Sequence, residues 1–84
     1  MAPNDIAKHL RRQPFIPLRI HLANGDAFDI PEPWHAGLWL TELFIGIDPD
    51  QNGIPTRSIY ADTRHITHIE PLPNGPARDG GPGR

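Results

Sequence analysis

Proline and glycine constrain this chain more than any other feature, because together they make up 19 of its 84 residues. Eight of the last 14 residues are Pro or Gly, and such a segment buries too little apolar surface to offset the entropy lost on ordering it. The sequence therefore predicts one folded domain over residues 1–70 and a flexible tail over residues 71–84. A domain of about 70 residues lies near the lower limit of independent stability, so association between copies would add to its core.

The composition excludes several classes of protein. The chain has no cysteine, which rules out disulfides, thiolate metal sites and a cysteine nucleophile. Its net charge of −2 creates no general attraction for nucleic acids or anionic membranes. The apolar runs are only a few residues long, too short to span a bilayer, and residues 1–5 do not have the pattern that opens a signal peptide. We therefore predict a cytoplasmic protein without a membrane partner.

The first predicted element is a short helix over residues 4–13. Ile6 and Leu10 are four residues apart and share one face of such a helix. Asn4 is a residue type that caps the first turn, because its side chain accepts a hydrogen bond from a free backbone N–H. Pro14 ends the helix, because its ring disfavours helical backbone in the residue before it.

A β-hairpin is predicted over residues 17–30. Apolar and polar residues alternate over residues 18–22, so one face of the first strand is apolar. A two-residue Asn-Gly turn would place an aspartate on that face. A three-residue loop would instead pair Leu22 with Asp26, Ile20 with Phe28 and Leu18 with Ile30. We favour the three-residue loop, because it keeps the apolar residues together and puts Gly25 in the left-handed position of a bulged turn.

Three further strands are predicted over residues 43–47, 56–61 and 66–70, the last two joined by a tight link at residues 62–65. Pro31 and Pro33 exclude a central strand directly after the hairpin, so residues 31–42 are predicted to be a loop. One helix and five short strands, spaced by roughly ten residues, are typical of a small barrel. The predicted fold is mainly β, with a short N-terminal helix followed by a five-stranded, strongly bent antiparallel sheet.

The predicted loop contains both tryptophans of the chain, Trp34 and Trp39. Tryptophan is enriched at the energetic centres of interfaces, and nearby proline limits the entropy lost on docking. The loop therefore packs either back onto its own domain or onto a neighbouring molecule, which makes both tryptophans candidate interface residues.

No residue pattern indicates catalysis or metal binding. Ser58, the only serine, lacks the sharp strand-turn-helix context of a nucleophile. The segment over residues 48–53 opens like a calcium loop, but Ile59 stands where the closing glutamate is needed. The five histidines are spread along the chain, and we predict structural or surface roles for all of them. We expect a non-enzymatic protein with no catalytic residue, metal site, cofactor or small-molecule substrate.

Three stretches together resemble a known family. They are residues 10–13 (LRRQ) at the end of the predicted helix, residues 18–25 (LRIHLANG) in the first strand and turn, and residues 60–71 (YADTRHITHIEP) in the last strand pair. Their order is similar to the Sm-like family, and within it to the Hfq-like RNA chaperones. The resemblance implies an Sm-like or SH3-like small barrel whose copies pair edge strands and close into a homo-oligomeric ring. Residues 14–22 and 65–71 also resemble a group of small uncharacterised bacterial proteins.

The resemblance implies binding of single-stranded RNA. The candidate RNA-binding residues are Lys8, Arg11 and Arg12 at the outer rim, Arg64 and His65 near the pore, and Tyr60 as an aromatic that stacks on a base. Repeated around a ring, these cations would form a continuous band. The helix dipole also favours cations at a helix end, which explains the first three without RNA. The alternative hypothesis is a protein-interaction or assembly module that uses residues 31–40 and binds no RNA.

Overall fold

The computed structural model describes residues 1–72, which form one short helix and six short strands. The elements are α1 (Pro3–Arg11), β1 (Leu18–Leu22), β2 (Ala27–Ile30), β3 (Ala36–Leu38), β4 (Glu42–Pro49), β5 (Pro55–Asp62) and β6 (Ile66–Pro71). Two 3₁₀ turns, Pro33–His35 and Thr63–His65, connect β2 to β3 and β5 to β6. The protein is therefore mainly β with one short N-terminal helix.

The strands of residues 1–72 form two three-stranded antiparallel sheets, in place of the one five-stranded sheet that the sequence predicts. The first sheet has the order β2-β1-β6 and the second has the order β3-β4-β5. No ladder joins the two sheets into a closed barrel in this part of the chain. Pro31 and Pro33 follow directly after β2. Because proline has no N–H to donate, the hydrogen bonds of the first sheet stop there and do not continue along the chain into β3.

The core is built by residues from both sheets and from the helix. The fully or almost fully buried apolar side chains are Ile6 of α1, Leu18, Ile20, Ile30 and Ile66 of the first sheet, and Leu43 and Ile45 of the second. Burying one side chain of this size is worth about 1.5–3 kcal/mol. Because neighbouring residues of a strand point to opposite faces, the residues between these core positions are turned outward, and both sheets present an outer face.

The helix differs from the prediction mainly at its ends. Its N-cap residue is Ala2, whose methyl side chain cannot accept a hydrogen bond, so the predicted cap by Asn4 is wrong. Pro3 occupies the first helical position, where its missing N–H costs nothing. Ile6 is buried and Leu10 packs against the core, which confirms the predicted apolar face. The backbone becomes extended at Arg12, two residues before Pro14.

The predicted hairpin register is confirmed. Leu18 pairs with Ile30 and Ile20 with Phe28, and the amide of Leu22 donates to the carbonyl of Asp26 across 2.8 Å. Gly25 has a φ of 96°, the left-handed conformation that a three-residue bulged turn requires.

Residues 31–42 are not a simple loop, because they contain the first 3₁₀ turn and β3. Gly37 of β3 pairs with Phe44 of β4. The turn also lies close to β4 at Gly46, where an added Cβ would be 2.7 Å from the Cβ and Cγ atoms of Pro55 and 3.3 Å from the carbonyl oxygen of His35. Only a residue without a side chain fits between these two neighbours.

The folded region extends two residues beyond the predicted boundary at residue 70. Pro71 is the last residue of β6 and pairs with Leu18, and the amide of Leu72 donates to the carbonyl of Pro17 across 3.0 Å. These two residues therefore belong to the first sheet and its edge, not to the predicted tail. The rest of that tail, residues 73–84, lies outside the described residues.

Candidate binding surfaces

The outer face of the second sheet carries a row of aromatic rings. Leu43 and Ile45 of β4 are buried, so the alternation of the strand turns Phe44 outward. The strand register places Tyr60 of β5 directly opposite Phe44, and their ring centroids are 4.7 Å apart. Trp39, which follows β3, also contacts Phe44, with ring centroids 5.6 Å apart and planes inclined by 30°. The sheet therefore presents three neighbouring rings on one side.

Trp34 adds a fourth ring at the side of this row. It lines a shallow groove of about 330 Å³ with Phe44, and small residues such as Gly37 and Ser58 also line that groove. We call Trp34, Trp39, Phe44 and Tyr60 the aromatic face. The exposed fractions of Trp34, Trp39 and Tyr60 are 57%, 64% and 65%, and Phe44 is half-buried between its neighbours. In the single chain, both tryptophans are therefore solvent-exposed rather than part of the core.

The aromatic face combines residues that the sequence assigned to different hypotheses. The sequence makes Tyr60 a candidate for base stacking, and it makes Trp34 and Trp39 candidates for a protein interface. It does not single out Phe44, because residues 43–47 have the composition of a buried strand. Phe44 can be identified from its position between two core residues of the same strand. Successive side chains of a strand point to opposite faces, so the residue between two buried ones points outward.

His35 holds the 3₁₀ turn that carries Trp34. Its side chain is buried, and its amide donates to the carbonyl of Glu32 across 3.0 Å. The ring of Trp34 packs against the His35 ring at 4.1 Å between centroids, with an interplanar angle of 84°. The Nε2 atom of His35 has no hydrogen-bond partner among residues 1–72. The exposed Trp34 is thus attached to a buried neighbour, which limits its freedom.

The cations at the end of α1 differ from the other basic residues of the described chain. Lys8, Arg11 and Arg12 are exposed and form no ion pair within residues 1–72. The remaining basic residues of that range pair with aspartates, as Arg19–Asp29 at 2.8 Å, Arg57–Asp48 at 2.6 Å and Arg64–Asp62 at 2.7 Å. The three predicted rim residues are therefore the described Lys and Arg side chains whose positive charge no acidic side chain within residues 1–72 offsets.

Tyr60 and His65, two of the predicted RNA-binding residues, line one pocket of about 500 Å³. The hairpin turn supplies its other wall through Asn24, and the amide of Ala23 donates to the carbonyl of His65 across 2.8 Å. The pocket thus joins an exposed aromatic ring to an imidazole and a side-chain amide. It can hold a flat polar ring by stacking and hydrogen bonding.

Arg64 lies beside this pocket but is engaged by Asp62. Its guanidinium donates from Nε and Nη2 to the two carboxylate oxygens of Asp62, across 3.1 and 2.7 Å, and its amide donates to the same carboxylate. The side-chain hydrogen bonds from Arg64 hold the pKa of Asp62 well below its ordinary value, and the backbone bond adds to this effect. The same side-chain bonds raise the pKa of Arg64. This exposed pair offsets much of the positive charge that the pore assignment needs.

The outer face of the first sheet carries a polar cluster that the sequence did not indicate. His21 of β1 lies opposite His68 of β6, and the two rings stack with centroids 4.1 Å apart. The Nε2 atom of His21 is 2.5 Å from a carboxylate oxygen of Glu70. The sequence shows that His68 and Glu70 are two residues apart and so share a face of a strand. It does not show that β6 pairs with β1, which is what brings His21 to them.

No described helix, among residues 1–72, combines the length and the apolar character needed to cross a membrane. A scan against protein-family models and searches of the curated proteins and the solved structures found no match to the chain. The case for a function therefore depends on the surfaces described above.

Proposed function

We propose that the protein is a non-enzymatic binding module that self-associates through the aromatic face. The observation that carries this proposal is the exposure of Trp34, Trp39 and Tyr60, each of them more than half exposed in the single chain. Large apolar patches on a folded domain mark interaction sites, and Trp and Tyr supply much of the binding energy at interface centres. Exposing these three rings of the aromatic face to water is unfavourable, and burying them against a partner would recover that free energy.

A second copy of the chain is the partner that we favour. The domain is small, and its net charge of −2 opposes association only weakly. Within residues 1–72, β5 and β6 each lie at the edge of a sheet with one side unpaired. Such edges carry free N–H and C=O groups that can pair with another strand. Tyr60 lies on β5, so the aromatic face and a free edge belong to the same region.

The strand order also supports an Sm-like or SH3-like small barrel. If β2 and β3 are treated as one strand interrupted by the first 3₁₀ turn, the order becomes β6-β1-β2/β3-β4-β5, which is five strands. β2 also contacts β4 of the other sheet, as such a bent sheet requires. Pairing the β5 edge of one copy with the β6 edge of the next would then generate a ring.

Replacing Trp39 with alanine should weaken self-association at least tenfold, because Trp39 contributes a large exposed ring to the face and little to the core. Light scattering during size exclusion, repeated over a range of protein concentrations, measures this change. The wild-type mass should be several-fold the 9.4 kDa of one chain, and the variant mass should fall towards one chain at the same concentration. Far-UV circular dichroism should be unchanged.

The matched control is Ile54→Ala, which removes an exposed apolar side chain outside the aromatic face. This control should associate like the wild type. A wild-type protein that is monomeric at every concentration would contradict self-association. A wild-type dimer would contradict the ring but not the face, and a Trp39→Ala variant that associates normally would contradict the face itself.

Single-stranded RNA binding is the second candidate function, favoured by the Tyr60–His65 pocket and by the three cations at the end of α1, which form no ion pair within residues 1–72. Exposed aromatic rings stack on bases with little sequence preference, and nearby cations hold the backbone. The pocket provides the exposed aromatic ring, and α1 provides the cations. Because the pocket and α1 are different parts of the fold, only a strand of several nucleotides could contact both.

The double variant Arg11→Ala/Arg12→Ala should reduce affinity for a fluorescent oligouridine in an anisotropy titration. Removing an arginine that binds one phosphate should reduce the slope of log affinity against log salt by about 0.7. The control is Arg57→Ala, which removes a cation that Asp48 already neutralises, and it should change the slope less. An unchanged affinity in the double variant would remove the rim assignment, and no measurable binding by the wild type would remove the RNA hypothesis.

A further inference from the structure

The geometry of the first sheet points to a metal site: we propose that His21, His68 and Glu70 bind a divalent transition-metal ion, with Zn²⁺ as the best match. The three residues lie on the outer face of β1 and β6, and none of them belongs to the aromatic face. One ligand atom from each side chain lies within 4.8 Å of the other two. The register of the two strands fixes this arrangement, because it places His21 directly opposite His68.

The donor set has the chemistry that zinc prefers. Two imidazole nitrogens and one carboxylate oxygen are a known three-ligand combination for Zn²⁺, and they leave a fourth position for water or another ligand. Calcium and magnesium favour oxygen donors instead, so the two histidines argue against those ions. The site would therefore select a borderline-soft ion.

The hydrogen bonds around His68 prepare one of its nitrogens for a metal. The hydroxyl of Thr67 donates its single proton to the carbonyl of His21 across 3.2 Å. It can then only accept a hydrogen bond from Nδ1 of His68, which lies 3.1 Å away. Both contacts of the Thr67 hydroxyl are satisfied together when His68 carries its proton on Nδ1, and Nε2 then keeps a lone pair for a metal. Metal-binding histidines are usually oriented in this way, through the nitrogen that does not bind the ion.

Within the cluster, His21 contacts both other members: its ring stacks on His68 and its Nε2 atom approaches Glu70. Because imidazole lone pairs lie in the ring plane, two parallel rings cannot point at one ion, so metal binding requires the rings to turn. A hydrogen bond accounts for the 2.5 Å distance between the Nε2 atom of His21 and the Glu70 oxygen. Donor atoms around a tetrahedral zinc ion lie about 3.3 Å apart. Side-chain rotation can reach that spacing from the present one, because His21 and Glu70 keep exposed fractions of 27% and 42% and His68 is exposed.

Among residues 1–72, Arg19 forms its side-chain hydrogen bonds with Asp29 and none with Glu70. Arg19 lies opposite Glu70 in the strand register and is the cation that would compete with a metal for this carboxylate. Its guanidinium is instead turned to Asp29, with Nε and Nη2 donating across 2.8 and 3.3 Å.

Isothermal titration of zinc chloride alone into the full chain, first stripped with a chelator, should show saturable binding of one ion per chain. Glu70→Gln keeps the shape of the side chain but removes its charge, and it should weaken binding at least tenfold. His68→Asn should have an effect at least as large. Co²⁺ should reproduce the binding and give the visible absorption of a four-coordinate site in the wild type but not in Glu70→Gln or His68→Asn.

The matched control is His65→Asn, because His65 is an exposed histidine outside the cluster. The zinc affinity of this variant should equal that of the wild type. Equal affinities in the wild type, Glu70→Gln and His68→Asn would overturn the site, as would the absence of saturable binding. Trp39→Ala should bind zinc normally, so a failure of self-association and a failure of the metal site are separate results.

Discussion

Replacing Ile20 with alanine should lower the free energy of unfolding by about 2–5 kcal/mol. Ile20 is completely buried in β1, the central strand of the first sheet, where it lies between Phe28 of β2 and Ile69 of β6. Both neighbouring strands fix its position, so the surroundings cannot collapse easily into the space that alanine leaves. For a domain of this size, the loss would be a large part of the total stability, which is about 5–15 kcal/mol in most proteins.

Urea denaturation followed by far-UV circular dichroism measures this loss. Ile54→Ala is the matched control. It is the same isoleucine-to-alanine substitution, but the Ile54 side chain is 50% exposed, whereas Ile20 is completely buried. It should cost no more than about 1 kcal/mol. Equal losses in the two variants would mean that Ile20 is not a core residue.

Replacing Gly46 with alanine should cost about 1–3 kcal/mol, through overpacking rather than through a cavity. The new methyl group would lie 2.7 Å from two ring atoms of Pro55, closer than carbon atoms approach without repulsion. The proline ring is part of the β5 backbone and cannot rotate away. The backbone carbonyl of His35, 3.3 Å from the new atom, blocks movement in the other direction.

Gly37→Ala is the control for this prediction, because it makes the same substitution in the same sheet. Gly37 pairs with Phe44, and Phe44 lies two residues before Gly46 on β4. An added Cβ there would meet only the Cδ2 atom of Phe44, at an ordinary contact distance of 3.5 Å. Alanine also restricts the unfolded chain, so this variant should be neutral or more stable. A Gly46→Ala protein as stable as Gly37→Ala would contradict the close approach of β4 and β5 at this point.

The hairpin could be predicted from the sequence because everything that determines it is local. The apolar alternation on both strands and Gly25 in the turn lie within a few residues of one another, and they agree on one register. The helix was also predictable in type, since Ile6 and Leu10 mark its buried face. The residue that caps the helix was not predictable. Asn4 is a good cap residue, but the fixed φ of Pro3 suits the first helical position, so the helix begins at Pro3 and Ala2 is the cap.

The candidate surfaces were only partly predictable, because they depend on strand pairing over long distances. Composition singles out the two tryptophans, and the RNA-binding hypothesis that follows from the family resemblance singles out Tyr60. The strand register is needed to join these residues through Phe44. The polar cluster was beyond reach, since His21 and Glu70 are 49 residues apart in the sequence. A one-residue shift between β1 and β6 would turn one set of side chains to the other face and separate the cluster.

The pairing of β1 with β6 also affects the order in which the domain can be completed during synthesis. Strands β3, β4 and β5 follow one another in the chain, so the second sheet can form as soon as they have left the ribosome. The first sheet must wait for β6, because β1 pairs with it. Until then, one edge of β1 remains unpaired. During this interval the free N–H and C=O groups of that edge are open to pairing with the wrong strand.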